Sequence, residues 1–321
     1  MFFGPVVQLN RTSDSGSESR GFESRRGHQM KKSTHPLFQL MVLLAIALGM
    51  LLVASVVQVP FVLLDKGRST MLWMQAITQC LTFLVPMWLM TYIYYRGQES
   101  AFLRFDFGGG KWMLGLAGVV AMLLMVPLID WLTVWNDSWD LGVVGDKLRS
   151  LQEMTEGILQ QLFDTASVGG LLANLLVVAL VPAVCEEVFF RAGVQNLLQR
   201  WFAGRDGDGA ARPWATHAAI WVTALIFSLV HGELFAFMPR FVMGALLGYL
   251  YVYGGSIVVN SLAHFANNAT VVVLYWLSMR GVVDLDPEAP LQLDWLLTVC
   301  CTLAALGVLY VSLGKKMKIS S

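Results

Sequence analysis

Long apolar blocks separated by short charged connections constrain this chain more than any other feature of it. A block of 18 or more apolar residues takes lipid as its natural solvent. In lipid such a block must satisfy its own backbone hydrogen bonds, which a helix does. Eight blocks fit this pattern, at approximately 37–61, 71–94, 112–131, 168–198, 216–236, 238–254, 257–278 and 292–313. Pro239 marks the break between the fifth and sixth, because proline ends or kinks a helical run. Gly254-Gly255 marks the turn before the seventh. The chain is 56% hydrophobic and 14% charged, with mean hydropathy +0.61, where a soluble domain carries about 25% charged residues. The expected fold is all-α: a polytopic membrane protein of about eight transmembrane helices, occupying residues 35–315. The formal net charge of zero gives no support to a nucleic-acid partner.

Residues 1–34 differ from the rest. From Arg11 to Lys32 the chain is rich in Ser, Gly, Arg and Glu, which reads as a disordered cytoplasmic tail. Met30-Lys31-Lys32 resembles an ordinary basic start, so residues 1–29 read as an extension or a misplaced start codon. The first apolar block is too long for the core of a cleavable signal and reads as a retained span.

Lys and Arg in the connections divide unevenly. One side holds 15, counted over the N-terminal tail, the connections after spans two and four, and the C-terminus. The other holds six: Lys66, Arg68, Lys147, Arg149, Arg240 and Arg280. Arg191 lies within span four. The rule that basic loops stay inside places both termini in the cytoplasm, in a multi-pass protein of the cell membrane. The longest external connection, 132–167, repeats Leu151, Met154, Ile158, Leu159 and Phe163 at helical spacing, which predicts an amphipathic surface helix. It could be a plain solvated helix or a substrate guide. Asn136-Asp137-Ser138 matches a glycosylation acceptor. Gly108-Gly109-Gly110-Lys111 lacks the earlier glycine and the Ser or Thr of a phosphate loop. The four cysteines, Cys80, Cys185, Cys300 and Cys301, have no metal-ligand spacing and read as small buried hydrophobes.

The informative residues are the polar ones inside the apolar blocks, because a charge in the bilayer is expensive and usually functional. Span four contains Glu186, Glu187 and Arg191. Glu187 and Arg191 are four apart with the acid first, the favourable order for a helical ion pair. Glu186 points about 100° away, beside Phe189 and Phe190, in surroundings that suit a general base. Span five ends in Phe227-x-x-x-His231, and span seven carries His264-x-x-x-Asn268. Each of these is also readable as a packing residue. At about 1.5 Å per residue, however, Glu186 and His231 lie roughly 20 Å from the inner ends of their spans, and His264 and Asn268 roughly 10–17 Å. Independent packing residues have no reason to share a depth, whereas a common wet site requires it. A Glu and a His can deprotonate a water, and a second His with an Asn can donate to an oxyanion. That set suits hydrolysis of a peptide bond. Zinc held by Glu186, His231 and His264 is the alternative to a site without cofactor.

Glu186-Glu187-x-x-x-Arg191, Phe227-x-x-x-His231 and His264-x-x-x-Asn268 resemble the three motifs of the CAAX prenyl endopeptidase and bacteriocin-processing (CPBP or Abi) family, in order and in spacing. The resemblance covers roughly 165–275. It implies a CAAX-protease-like all-helical fold and intramembrane endopeptidase activity on a peptide or protein substrate, membrane-anchored or lipidated in some members. It further implies Glu186 as general base acting with His231, His264 and Asn268 as oxyanion hole, and Glu187 and Arg191 in support. A transporter or carrier, which also places Glu, Arg and His in the bilayer, and a non-catalytic immunity or scaffold protein are the alternatives.

Overall fold

The computed structural model of the chain describes residues 34–64, 67–106, 108–204, 213–284 and 293–317. The expected tail over 1–34 lies outside the described residues except for Thr34. So do Lys66, Arg205, Arg212 and Lys318, which enter the charge division above. Every secondary-structure element among the described residues is helical, and the all-α membrane architecture expected from the apolar blocks is what the structure shows.

Ten helices carry the architecture. They are α1 (Pro36–Leu64), α2 (Arg68–Tyr94), α3 (Lys111–Leu124), α4 (Val126–Asp137), α5 (Gly142–Phe163), α6 (Val168–Ala203), α7 (Pro213–Val230), α8 (Phe237–Gly254), α9 (Ile257–Met279) and α10 (Trp295–Met317). Among the described residues six of them are long and apolar enough to cross a membrane by themselves: α1, α2, α6, α8 with the turn before it, α9 and α10. The expected third span is instead a bent pair, α3 and α4, meeting at 43°. Pro127 sits at the start of α4; lacking an N–H, it cannot continue the ladder of α3. The fifth expected span, α7, has 18 residues, about 27 Å at 1.5 Å each, and ends at Val230 rather than running on to 236. Against the expected eight, the described residues give six full spans, or seven if the bent pair is one span, and α7 remains a short apolar helix.

Lipid-facing side chains explain the composition. Leu48, Leu52, Leu63, Leu303 and Val311 are each more than 60% exposed, and apolar surface of that extent needs a lipid or protein cover. Cys185 is buried as expected, while Cys300 is exposed on α10 and Cys80 and Cys301 are half-buried. The amphipathic helix expected within 132–167 exists as α5, beginning earlier than its apolar repeat suggested. Its C-terminal turn is fastened by Arg68, which donates to the Leu162 carbonyl at 2.9 Å and to Asn174 Oδ1 at 2.8 Å. Asn136 is fully buried. Its Nδ2 donates to the Leu234 carbonyl and its Oδ1 accepts from the Met238 N–H at 2.7 Å. That asparagine pins the turn between α7 and α8 and offers no free amide to a sugar.

The main core gathers the inner faces of α1, α2, α6, α7, α8 and α9 around Leu43, Met87, Phe190, Phe227, Leu247 and Tyr251. Glycines let the helices of this core approach. A Cβ on Gly193 of α6 would fall 2.7 Å from Met87 Sδ and 2.9 Å from Leu43, and one on Gly244 of α8 would fall 3.3 Å from the Ala224 backbone.

Candidate active site

Two π-helical turns bracket the site. One, Cys80–Leu84, lies within α2, and a second, Leu175–Leu180, lies within α6. Each is followed at once by a Val-Pro pair, Val85-Pro86 and Val181-Pro182. A proline leaves the carbonyl four residues back without its helical partner, and a wider turn accommodates the mismatch. A third π-helical stretch, Val188–Gln195, follows Glu187 directly. The helix is therefore irregular on both sides of the Glu186-Glu187 pair.

Glu187 is fully buried. Its Oε2 accepts from Arg191 Nε at 2.9 Å and from Asn260 Nδ2 of α9. Its Oε1 accepts from His264 Nδ1 at 3.0 Å. Three donors thus converge on one carboxylate, the arrangement that buried charge requires. Arg191 is itself fully buried and lies over the Phe227 ring at 5.5 Å.

Glu186 has different surroundings. Gln79 Nε2, from α2, donates to its Oε1 at 3.2 Å. Its Oε2 faces two imidazoles, with His264 Nε2 at 3.9 Å and His231 Nε2 at 4.0 Å. These separations are too long for direct hydrogen bonds. The tautomers follow from the partners on the other side of each ring. His264 Nδ1 faces a carboxylate, which only accepts, and His231 Nδ1 faces the Phe227 carbonyl at 2.6 Å. Both Nδ1 atoms therefore donate, and in a neutral ring Nε2 is then an acceptor. With both rings neutral, Glu186 Oε2 on α6 thus faces two further acceptors, His264 Nε2 on α9 and His231 Nε2 in the turn after α7, at 3.9 and 4.0 Å. Only a group that brings donors, or a cation, satisfies such a set.

A cavity of about 380 Å³ opens beside Glu186 and His231. Its walls are apolar on α1, from Leu44 to Leu51, and mixed on α2, where Thr78, Gln79 and Thr82 face in. Zinc bonds of about 2.0–2.2 Å set neighbouring tetrahedral ligands about 3.3–3.5 Å apart, closer than the Glu186–histidine separations here. Among the described residues no group of three or more His, Cys, Asp or Glu is arranged to hold a metal ion.

The structure thus brings Glu186, His231 and His264 together, with Glu187 and Arg191 directly behind them. It places Asn268 one turn along α9 from His264, where its Oδ1 accepts from Asn267 Nδ2 at 3.3 Å. Asn268 makes no hydrogen bond to Glu186, His231 or His264 among the described residues. Two contributors went unread in the sequence. Asn260 is four residues before His264, so the i, i+4 rule could have put it on the same face. Gln79 lies in a different apolar block with no motif around it, and its only signal was an amide inside a span.

The fold and this centre define a class: a polytopic, all-helical membrane protein with an ionisable cluster inside its bundle. Within that class, residues 168–270 match the family model described as type II CAAX prenyl endopeptidase, Rce1-like. The matched segment is roughly a third of the chain and runs from α6 into α9. It contains all three motifs and leaves α1 to α5 and α10 outside. The resemblance drawn from the motifs is thereby shown, and the match supports a CAAX-type intramembrane protease. No curated protein and no solved structure matches the chain.

Proposed function

We propose that this protein is an intramembrane endopeptidase in which Glu186 and His231 activate a water for attack on a peptide carbonyl. The observation that carries this reading is the convergence of three acceptors, Glu186 Oε2 and the two Nε2 atoms, beside a cavity. A water bound there donates one O–H to Glu186 and the other to His231, which leaves its lone pairs free for the substrate. Glu186 takes the proton as the C–O bond forms. The tetrahedral oxyanion then collapses, the C–N bond breaks, and the proton passes to the leaving amine. The products are a carboxylate and an amine, and no redox partner is needed. His264 donates to the oxyanion only as an imidazolium, and Glu187, held by Arg191 and Asn260, is the carboxylate that supports that charge. Asn268 is the second oxyanion donor in this reading, reached by a side-chain rotation away from Asn267.

The substrate is a peptide or protein reaching the site within the membrane, and the apolar α1 wall of the cavity suits a lipid-bearing or membrane-embedded segment. The uneven division of Lys and Arg supports cytoplasmic termini, which reporter fusions at each terminus test.

The decisive experiment offers purified protein in detergent a panel of lipidated and transmembrane peptides. The wild type is expected to cleave at least one, and Glu186→Gln none. Cleavage by Glu186→Gln at the wild-type rate removes Glu186 as the base. Undiminished activity in strong chelator, with no bound metal by elemental analysis, supports the metal-free reading, and a loss reversed only by zinc overturns it.

A further inference from the structure

α5 carries an apolar face that the bundle leaves uncovered. Val144, Leu151, Met154 and Ile158 are each more than half exposed. At about 100° per residue, these four fall within an arc of about 80° on one side of the helix. The bundle takes a different side. Leu159 and Phe163 pack with Phe265 and Val272 of α9, and Gly145 is buried against Phe235. Those three positions centre roughly 120° from the exposed apolar arc. Asp146, Glu153, Glu156 and Gln160 are exposed and centre roughly 80° further round. The helix therefore has three sectors: one on the bundle, one apolar and open, one polar. Leu162, buried at the anchored end, closes the apolar arc. Lys147 falls within the arc, where a long stem lets the ammonium reach water. Thr155, at its edge, donates its hydroxyl to the Leu151 carbonyl at 3.2 Å.

Both ends of α5 are fastened at one end of the bundle. Near its start, Arg149 donates to Asp137 Oδ1 at 2.7 Å and to the Asp137 carbonyl at 3.0 Å, and lies over the Phe235 ring at 4.0 Å. Asp137 closes α4, and Phe235 is in the turn before α8. Near its C-terminus, Arg68 at the start of α2 holds the Leu162 carbonyl and also donates to the Gly170 carbonyl, at 3.1 Å, at the start of α6. Gln199 near the end of α6 donates to Thr216 near the start of α7 at 2.8 Å. α7 therefore runs back toward the end at which α6 begins, and the Phe235 turn lies there too. The stretch from Arg149 to Leu162 is about 20 Å of helix, laid along that end of the bundle. Tryptophans mark the same level. Trp131 and Trp135 stack at 6.2 Å on the last turns of α4, and Trp73 lies in the second turn of α2; all three are exposed. Trp276 donates to the Ser167 carbonyl, just ahead of α6, at 3.2 Å. Tryptophan gathers where lipid meets water, because its ring is apolar and its N–H is not.

A helix held flat at that level, with the bundle along one side, has lipid below it and water above. An apolar sector and a polar sector on either side of the bundle-facing one match those two solvents. A protein cover over the apolar arc would explain the arc but not the tryptophans beside it. We propose that α5 is an interfacial helix, lying in the plane of the membrane surface with Val144, Leu151, Met154 and Ile158 sunk among the headgroups and upper acyl chains. Its occupant is the bilayer itself. The surface lies apart from the Glu186 centre and does not depend on the peptidase reading.

The test reads depth along α5 in the full-length protein reconstituted into phosphatidylcholine vesicles. Single cysteines are introduced as Leu151→Cys, Met154→Cys and Ile158→Cys on the apolar arc, and as Glu153→Cys and Gln160→Cys on the polar one. Each is made in a chain whose four native cysteines are replaced by Ala, and labelled with an environment-sensitive fluorophore. Labels on the arc should emit at shorter wavelength, be quenched by spin-labelled phosphatidylcholine and be shielded from aqueous iodide, at a depth of about 5–10 Å. Labels at 153 and 160 should show the reverse. Iodide reaching both faces equally overturns the proposal. So does an arc shielded from both quenchers, since a second copy or another part of the chain would then cover it. The unaltered protein gives an independent reading that no cysteine replacement can spoil: phosphatidylcholine with a photoreactive group in its upper acyl chain should cross-link to the segment 144–158. Cross-linking to the spans with none to that segment overturns the proposal as well.

Discussion

The Glu187 side and the Glu186 side of the centre begin at neighbouring residues and end in opposite conditions. Glu187 is fully buried and meets donors from Arg191, Asn260 and His264. Glu186 meets one donor, Gln79, and turns its other oxygen toward two imidazole nitrogens beside a cavity. Consecutive helical positions point about 100° apart, so one residue step separates a group that is satisfied from a group that is not. A satisfied carboxylate holds helices together, because removing any partner strands a charge. An unsatisfied one is available to a substrate or a water. In the proposed function, scaffold and chemistry are divided between two identical side chains by what surrounds them.

The largest expected effects test that division directly. Glu187→Gln leaves Arg191 buried without its acid, and breaking such a pair costs about 3–5 kcal/mol. Its thermal midpoint in detergent should fall sharply, or the protein should fail to accumulate. Glu186→Gln should keep the wild-type midpoint and lose about 10²–10⁴-fold in kcat, the usual worth of a positioned base. Equal stability losses in the two variants would erase the contrast.

Asn268 comes next. Replacing it with Leu should lower kcat about 10²–10³-fold, as loss of an oxyanion donor does, with the midpoint held. An unchanged rate would confine the oxyanion hole to His264 and leave Asn268 with its Asn267 contact. Gln79→Met keeps the length of the side chain and removes the donor to Glu186 Oε1. A single charge-assisted hydrogen bond supports an expected loss of about tenfold in kcat, at a KM within a factor of about two. Parallel falls in kcat and thermal midpoint would instead make Gln79 a packing residue.

The sequence made legible those parts of the molecule that follow from solvent and from local spacing. Apolar blocks gave the helices, since a long unbroken apolar run satisfies its own backbone in lipid only as a helix, and helical arithmetic brought Glu186, His231 and His264 to one depth. Contacts between distant blocks were not legible in the same way. Gln79 and Glu186 are 107 residues apart, and nothing in local spacing relates α2 to α6. The bend between α3 and α4 escaped for a different reason: Pro127 was visible, but a proline permits a kink without fixing its angle. The structural role of Asn136 was not legible either, because the sequon match records three residue types and not whether the amide is already bonded.

The smallest expected effect sets a buried ion pair against an exposed one. Asp106 and Lys111 bridge the loop before α3, and Lys111 also donates to the Gly255 carbonyl at 3.2 Å, so the pair ties that loop to the turn between α8 and α9. The Lys111 ammonium, and then the Gly108 N–H, hold the Asp106 carboxyl below its ordinary value of 3.8. A carboxylate lowered in the folded state adds stability that is present above 3.8 and disappears as pH falls through the lower, folded value. Asp106 is exposed to water and salt, so its contribution is screened and small. Asp106→Asn should therefore lower the thermal midpoint slightly at pH 7, and the difference from wild type should shrink with added salt and vanish in acid. The Glu187→Gln difference should hardly respond to salt, because ions do not reach a fully buried pair. A salt response as large at Glu187 as at Asp106 would mean that water reaches the Glu187–Arg191 pair, and the division between the two sides of the centre would fail at its more sheltered half.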